Sequence, residues 1–146
     1  MIERQVDLWP VWRETEIALR NLITAAMLEQ YGDQWIDKLE KARPNLKPIF
    51  ERCREAQQKE EGSFGSRASR NLIDFTYPQD LFAIIFAEWH TFKPKLKKDK
   101  NYWDQRAQLL TKIRNPLAHN RDEVLYEHER QIAEGYCKEI LGLLKP

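Results

Sequence analysis

A guanidinium, an amide and an imidazole occur within six residues near the carboxyl-terminal end of this 146-residue chain. Arg114 and Asn115 are adjacent, and His119 follows Arg114 after four intervening residues. An arginine is permanently charged and its planar fork matches phosphate oxygens. A histidine titrates near neutral pH and can move a proton. These residue types suit cleavage of a phosphodiester, and RNA supplies its own nucleophile, the 2′-hydroxyl, so the chemistry requires no bound metal.

The segment before this group has the apolar spacing of an amphipathic helix, predicted from Asn101 to Arg114. Asn115 and Pro116 should end that helix, because a residue that precedes proline avoids the α-helical region. We expect the proline to turn the chain so that Arg114 and His119 face one pocket. The inward side chains of this helix are predicted to be Trp103, Leu109, Leu110 and Ile113.

Helical periodicity governs most of the remaining chain. Trp12, Leu19 and Ile23 recur at helical spacing and predict a first helix from Pro10 to Tyr31. Gly32 is suited to end this helix in the left-handed conformation. A shorter helix is then predicted between Asp33, as its cap, and Pro44, which halts it.

Three further helices are predicted, at residues 45–61, 78–90 and 122–144. The segment from Pro78 to His90 is apolar on all sides, which indicates a central helix or an interface. Residues 62–66 and 93–100 are predicted to be connections, and residues 71–77 are compatible with either a helix or an extended chain. No segment shows the alternation of a strand. The sequence therefore predicts an all-α fold, an up-and-down helical bundle, in a single domain over residues 1–146.

Composition excludes several classes of protein. Hydrophobic residues are 42% and charged residues 32% of the chain, and the longest apolar run, Leu81–Ala87, is too short to cross a membrane. The net charge of +1 gives no global field for nucleic acid, so such binding would need a local basic patch. Cys53 and Cys137 lack metal-binding spacing, and Met1–Asp7 lacks the apolar segment of a signal peptide. We expect reduced cysteines and a cytoplasmic location.

Several segments resemble one family in the same order along the chain. Arg114-Asn115-x-x-x-His119 resembles the R-x4-6-H motif of the HEPN superfamily (higher eukaryote and prokaryote nucleotide-binding domains). Three further segments resemble its branch named after a eukaryotic transcript-surveillance endonuclease. They are Glu16-x3-Arg20, the Tyr31-Gly32-Asp33-Gln34-Trp35 segment, and the helix that begins Asp80-Leu81-Phe82-Ala83-Ile84-Ile85 and continues to Trp89 and Phe92.

The resemblance implies a dimerising helical bundle in which both protomers present the Arg/His pair to one composite site. It implies metal-independent endoribonuclease activity on single-stranded RNA, as in toxin–antitoxin, phage-defence and CRISPR-associated proteins. His119 would act as general acid or base, Arg114 would stabilise the scissile phosphate, and Asn115 would orient Arg114 or the phosphate. Glu16 and Arg20 would hold the motif's geometry, and the products would be a 2′,3′-cyclic phosphate or a 3′-phosphate, with a 5′-hydroxyl.

Two surfaces extend this interpretation. Lys97, Lys98, Lys112 and Arg121 would follow the RNA backbone, although a lysine-rich connection is also typical of a solvated loop. The apolar excess of Pro78–Trp89 and Ile113–Leu125 favours a homodimer. No cofactor or metal is expected, because no histidines, cysteines or carboxylates share ligand spacing.

Other interpretations remain open. The chain could be a non-catalytic HEPN interaction or nucleotide-binding module in a larger defence or toxin–antitoxin assembly, with an antitoxin or another defence protein as its partner. It could also be an antitoxin-like or structural helical partner. At the level of residues, His119 could cap a turn, Arg114 could interact with the helix dipole, and Glu16 and Arg20 could form an ordinary surface pair.

Overall fold

The structure is a computed structural model that describes residues 7–118 and 121–145. Within these residues there are seven α-helices and no strand, which confirms the all-α class. The helices are α1 (Trp9–Tyr31), α2 (Trp35–Ala42), α3 (Lys47–Phe64), α4 (Pro78–Ala87), α5 (Trp89–Leu96), α6 (Lys100–Ala118) and α7 (Glu127–Leu144). Short 3₁₀ segments lie at Pro44–Leu46, Gly65–Arg67, Leu72–Phe75 and Asp122–Val124.

The chain forms two compact units. The terminal unit combines the chain up to Leu19 with the chain from Trp89 onward, and the central unit is Arg20–Glu88. Trp12, Trp103 and Ile113 belong to the core of the terminal unit, and Met27, Phe50 and Ile84 to that of the central unit. The Trp35 ring meets the Phe50 ring edge to face at 6.3 Å within the central unit. The single domain over residues 1–146 stays a prediction.

The bounds of the first three helices agree closely with those predicted from the sequence, with two corrections. Gly32 ends α1 with a φ of 83°, as predicted, and its N–H donates to the Leu28 carbonyl at 2.8 Å. Gln34, and not Asp33, is the residue before α2. Helix α3 continues through the predicted loop to Phe64, and Gly65 ends it with a φ of 59°. A glycine tolerates this left-handed backbone without the steric cost of a Cβ atom.

The predicted helix over residues 78–90 is two helices. Glu88 interrupts it with φ −112° and ψ 42°. The Glu88 side chain is 1% exposed, and its Oε1 accepts a hydrogen bond from the Tyr31 hydroxyl at 2.8 Å and lies 3.5 Å from Arg43 Nε. A buried carboxylate requires such partners. Helix α5 then runs through Pro94 to Leu96, so the first half of the predicted lysine-rich connection is helical.

Most of the apolar side chains that motivated a homodimer are buried within one chain. On α4, Leu81, Ile84 and Ile85 are fully buried in the central unit. In the terminal unit, Ile113 is 0% and Leu117 is 5% exposed, whereas Val124 is 55% exposed. One chain therefore accounts for most of the apolar excess but not for all of it, and the homodimer stays a prediction.

Candidate functional site

Arg114 and Asn115 lie in the last turns of α6, which the sequence predicted to end before Pro116. The helix instead continues through Pro116 to Ala118. A proline inside a helix removes one backbone hydrogen bond. Ile113 and Leu117 are one turn apart and both buried, so the packing of this face keeps the last turn helical despite the missing donor. Arg114 is partly exposed and Asn115 is exposed.

His119 and Asn120 lie outside the described residues. The predicted juxtaposition of Arg114 and His119 therefore stays a prediction. The chain continues at Arg121, whose backbone N–H donates to the Pro116 carbonyl at 2.8 Å. A bond that spans five residues is typical of the carboxyl end of a helix. The described part of α6 thus continues beyond Pro116, and the predicted break at this proline is wrong.

The last helix begins later than predicted. Residues 122–124 form a 3₁₀ segment, and α7 begins at Glu127. Between these elements the Leu125 side chain is 8% exposed, whereas Tyr126 is 69% exposed and stacks on His128 with ring centroids 5.5 Å apart. Ile132 on α7 is 43% exposed. The inward face of α7 consists of Arg130, Ala133, Cys137 and Ile140.

A carboxylate connects the end of α6 to the start of α7. Glu129 Oε1 accepts a hydrogen bond from the Tyr126 backbone N–H at 3.0 Å, and Lys112 Nζ donates to Glu129 Oε2 at 3.1 Å. The Tyr126 backbone hydrogen bond, followed by that of Lys112, lowers the pKa of Glu129. Lys112 was predicted to contact RNA. In the structure its ammonium group has a carboxylate partner, and its role in RNA binding stays a prediction, as does that of the exposed Arg121.

Sequence reasoning missed a buried arginine in this part of the chain. Arg130 is 2% exposed on the inward face of α7. A buried guanidinium is costly unless it is paired. Arg130 has helical spacing from Ala133 and Cys137 and therefore lies on the same, buried face of α7. This spacing alone does not predict burial of Arg130, because charged residues rarely lie in a core.

Glu16 and Arg20 are one turn apart on α1, and the structure shows a partner for Arg20 in the central unit. Arg20 Nη2 donates to the Thr76 carbonyl at 2.9 Å, and Arg20 Nε to Thr76 Oγ1 at 3.4 Å. Thr76 itself is 3% exposed and bonds to the Ile73 carbonyl. Arg20 thus fixes the chain after the Leu72–Phe75 segment to α1. The predicted support of Arg114 by Glu16 and Arg20 stays a prediction.

Other chemistry is limited in the described part of the chain. No group of three histidine, cysteine or acidic side chains there is placed to hold a metal ion. No helix there has both the length and the apolar character to cross a bilayer. Cys53 and Cys137 lie buried on helices and are free, as predicted.

The all-helical fold and the arginine and histidine spacing at the end of α6 define a domain of the HEPN type. The model of the Swt1-like HEPN family matches residues 15–135, well over half of the chain. The chain therefore belongs to the Swt1-like HEPN family. The match includes Glu16, Arg20 and the whole Arg114–His119 motif, and family membership supports a nuclease module of the RNase type in general. No curated protein and no solved structure matches the chain.

Proposed function

We propose that this protein is a metal-independent endoribonuclease that cleaves single-stranded RNA. The observation that carries the proposal is the position of Arg114 and Asn115 on the last turns of α6, in a chain of the Swt1-like HEPN family whose sequence places His119 next after Ala118. Arg114 is partly exposed and Asn115 is exposed, so this end of α6 borders solvent, from which a phosphate would approach. The packing of Ile113 and Leu117 fixes the backbone that carries both groups.

The reaction follows from these groups. His119 removes the proton from the 2′-hydroxyl, and the 2′-oxygen forms a bond to phosphorus while the bond from phosphorus to the 5′-oxygen breaks. The leaving 5′-oxygen takes up a proton, so the products are a 2′,3′-cyclic phosphate and a 5′-hydroxyl. Arg114 stabilises the charge that develops on the phosphate, and Asn115 orients the guanidinium or the phosphate.

The proposal includes a homodimer with a shared site. One protomer supplies one cationic fork and one proton-transfer group, whereas the reaction gains from a second group that protonates the leaving oxygen. Two copies of Arg114 and His119 at one phosphate would supply one group that removes the 2′-hydroxyl proton and one that protonates the leaving oxygen. We propose that the dimer acts as a toxin or phage-defence effector in the cytoplasm, held inactive by an antitoxin or another defence-system partner.

The proposal is tested with labelled single-stranded RNA in the presence of EDTA. Parent protein is expected to cut it and to leave 5′-hydroxyl ends, and His119→Ala should cut at least 100-fold more slowly, as is usual for a general acid or base. The matched control is His128→Ala, since His128 is an exposed histidine outside the motif. A dependence on added magnesium, or cleavage by His119→Ala at the parent rate, would contradict the mechanism. A parent protein that cuts no RNA would favour the non-catalytic module.

A further inference from the structure

The segment of residues 93–100, which comprises the end of α5, the start of α6 and the connection between them, is rich in lysine. Its lysines are all exposed: Lys93, Lys95, Lys97, Lys98 and Lys100. Asp99 is the single acid within this stretch of sequence, and its Oδ1 is engaged by the Tyr102 backbone N–H at 2.9 Å. The net charge of the whole chain is only +1, so this patch, which we call the lysine turn, is a local concentration of positive charge.

Backbone and core contacts give the lysine turn a defined shape. The Lys97 N–H donates to the Lys93 carbonyl at 2.8 Å, and the Lys98 N–H donates to the Leu96 carbonyl at 2.8 Å. Leu96 is 2% exposed, and its carbonyl also accepts a hydrogen bond from the fully buried Trp103 indole at 3.2 Å. The turn is thereby anchored in the core of the terminal unit, and its ammonium groups extend from a fixed backbone.

The backbone of Lys97 is in a conformation that favours glycine. Its φ is 66°, and it is the single non-glycine residue with a positive φ in the described part of the chain. Left-handed backbone is costly for a residue with a Cβ atom. Glycine would relieve that strain, yet this position carries a charged side chain at the tip of the turn. Lys97 directly follows α5, so its left-handed backbone is the common way of ending a helix, here with a lysine in place of glycine.

The aromatic ring beside the turn is already engaged. The Arg106 guanidinium lies 3.4 Å from the centroid of the Tyr102 ring, and the Tyr102 hydroxyl bonds to the Glu139 carboxylate. Lys98 Nζ lies 5.8 Å from the same ring. Tyr102 therefore serves the packing of α6 against α7 instead of offering a surface for a base. The turn presents charges and no base-reading groups, which is the chemistry that recognises phosphates.

We propose that the lysine turn is a sequence-independent subsite for the phosphate backbone of single-stranded RNA, at the opposite end of α6 from Arg114. The proposal rests on the proposed function for the identity of the nucleic acid. Lys100 and Arg114 lie on one helix, and a helical rise of 1.5 Å per residue separates them by about 21 Å along its axis. An RNA that contacts both must therefore be several nucleotides long, and the lysine turn contributes affinity for long RNA alone.

The test measures binding of RNA that cannot be cut. A fluorescent single-stranded 2′-O-methyl RNA of about 20 nucleotides is titrated with parent protein and with Lys97→Gln/Lys98→Gln between 50 and 300 mM salt. Each lost phosphate contact lowers the slope of log K against log salt by about 0.7 on a single strand. Two lost contacts reduce the magnitude of this slope by about 1.4. If the plots of log K against log salt for the parent and the variant meet near 1 M salt, the variant should bind about 10-fold more weakly at 150 mM salt.

A matched control separates the patch from the overall charge. Lys41→Gln/Lys59→Gln removes the same charge from exposed positions of the central unit and should keep the parent slope. Equal slopes for parent and Lys97→Gln/Lys98→Gln would overturn the proposal, as would an equal loss in the control. A loss of binding to anionic lipid vesicles, with RNA binding unchanged, would assign the patch to a membrane surface and would equally overturn it.

Two further measurements separate this inference from the proposed function. Lys97→Gly should weaken RNA binding while its melting temperature stays at or above that of the parent, because glycine accepts the left-handed backbone. In the cleavage assay, Lys97→Gln/Lys98→Gln should raise KM for long RNA and leave cleavage of a trinucleotide unchanged. A parent protein that binds RNA without cutting it would refute the proposed activity and leave the subsite intact. A parent protein that binds no RNA would refute the subsite.

Discussion

The buried thiol of Cys137 makes the stability of the terminal unit dependent on alkaline pH. Cys137 is fully buried on α7, and this burial raises the pKa of its thiol from 9.0 to about 11. The nearby carboxylates of Glu134 and Glu16 raise the pKa further, while a hydrogen bond with Thr15 opposes the shift. In the unfolded chain the thiol titrates near its ordinary pKa of 9.0. Folding therefore favours the protonated form.

The sign of the effect follows from proton binding. A raised pKa contributes stability that is complete below the unfolded pKa and is lost as pH rises through the folded one. A shift of about two pKa units corresponds to about 3 kcal/mol at 1.36 kcal/mol per unit. We expect the Cys137 contribution to the free energy of unfolding to decline by about 2 kcal/mol between pH 9 and pH 11, because the rest of the loss falls on either side of this range.

The measurement is urea unfolding followed by far-ultraviolet circular dichroism at several pH values, for the parent and for Cys137→Ala. The alanine variant is less stable at every pH because it leaves a cavity, but the difference should shrink by about 2 kcal/mol from pH 9 to pH 11. Burial also raises the pKa values of Tyr31 and Cys53, and these groups remain in both proteins and cancel. A difference that stays constant with pH would refute the reasoning.

Three other changes test the fold and the site. A mixed dimer of parent and Arg114→Ala/His119→Ala protomers, isolated through two different tags, should keep far less than half of the parent RNA cleavage, and a value near half would indicate independent sites. Glu88→Ala should lower the free energy of unfolding by about 1–3 kcal/mol, because the Tyr31 hydroxyl loses its buried acceptor; unchanged urea unfolding would contradict the role of Glu88 in the helix break. Pro116→Ala should raise the melting temperature, since α6 continues through this position and gains a backbone donor; a lower melting temperature would show that the proline is required there.

Local sequence patterns predicted α1 well because every determinant of this helix is local. Apolar spacing sets its length, and Gly32 supplies the left-handed end. The break at Glu88 was not predictable in the same way. Its cause is a pair of hydrogen-bonding groups, Tyr31 and Arg43, that are distant in sequence and meet the carboxylate only in the folded central unit. Periodicity carries no information on such a contact.

In the candidate site, too, local features were predictable from the sequence and contacts between distant residues were not. The motif identified Arg114, Asn115 and His119 because their types and spacing are properties of the sequence. The rule that proline ends a helix gave the wrong end for α6, since the buried Ile113 and Leu117 outweigh one missing hydrogen bond. The pairing of Lys112 with Glu129 also depends on how α6 and α7 meet, which the sequence does not give.

Helix dipoles divide the lysine turn into residues that folding explains and residues that it does not. Lys93 and Lys95 lie in the last turn of α5, where a cation stabilises the helix. Lys97 directly follows α5, so its charge and its left-handed backbone also suit the end of that helix. Lys98 instead lies shortly before the amino-terminal end of α6, where the helix carries a partial positive charge and acidic residues are preferred. The charge of Lys98 is therefore not explained by helix stability. It increases the positive potential at this end of α6, and a phosphate is the group that this potential attracts.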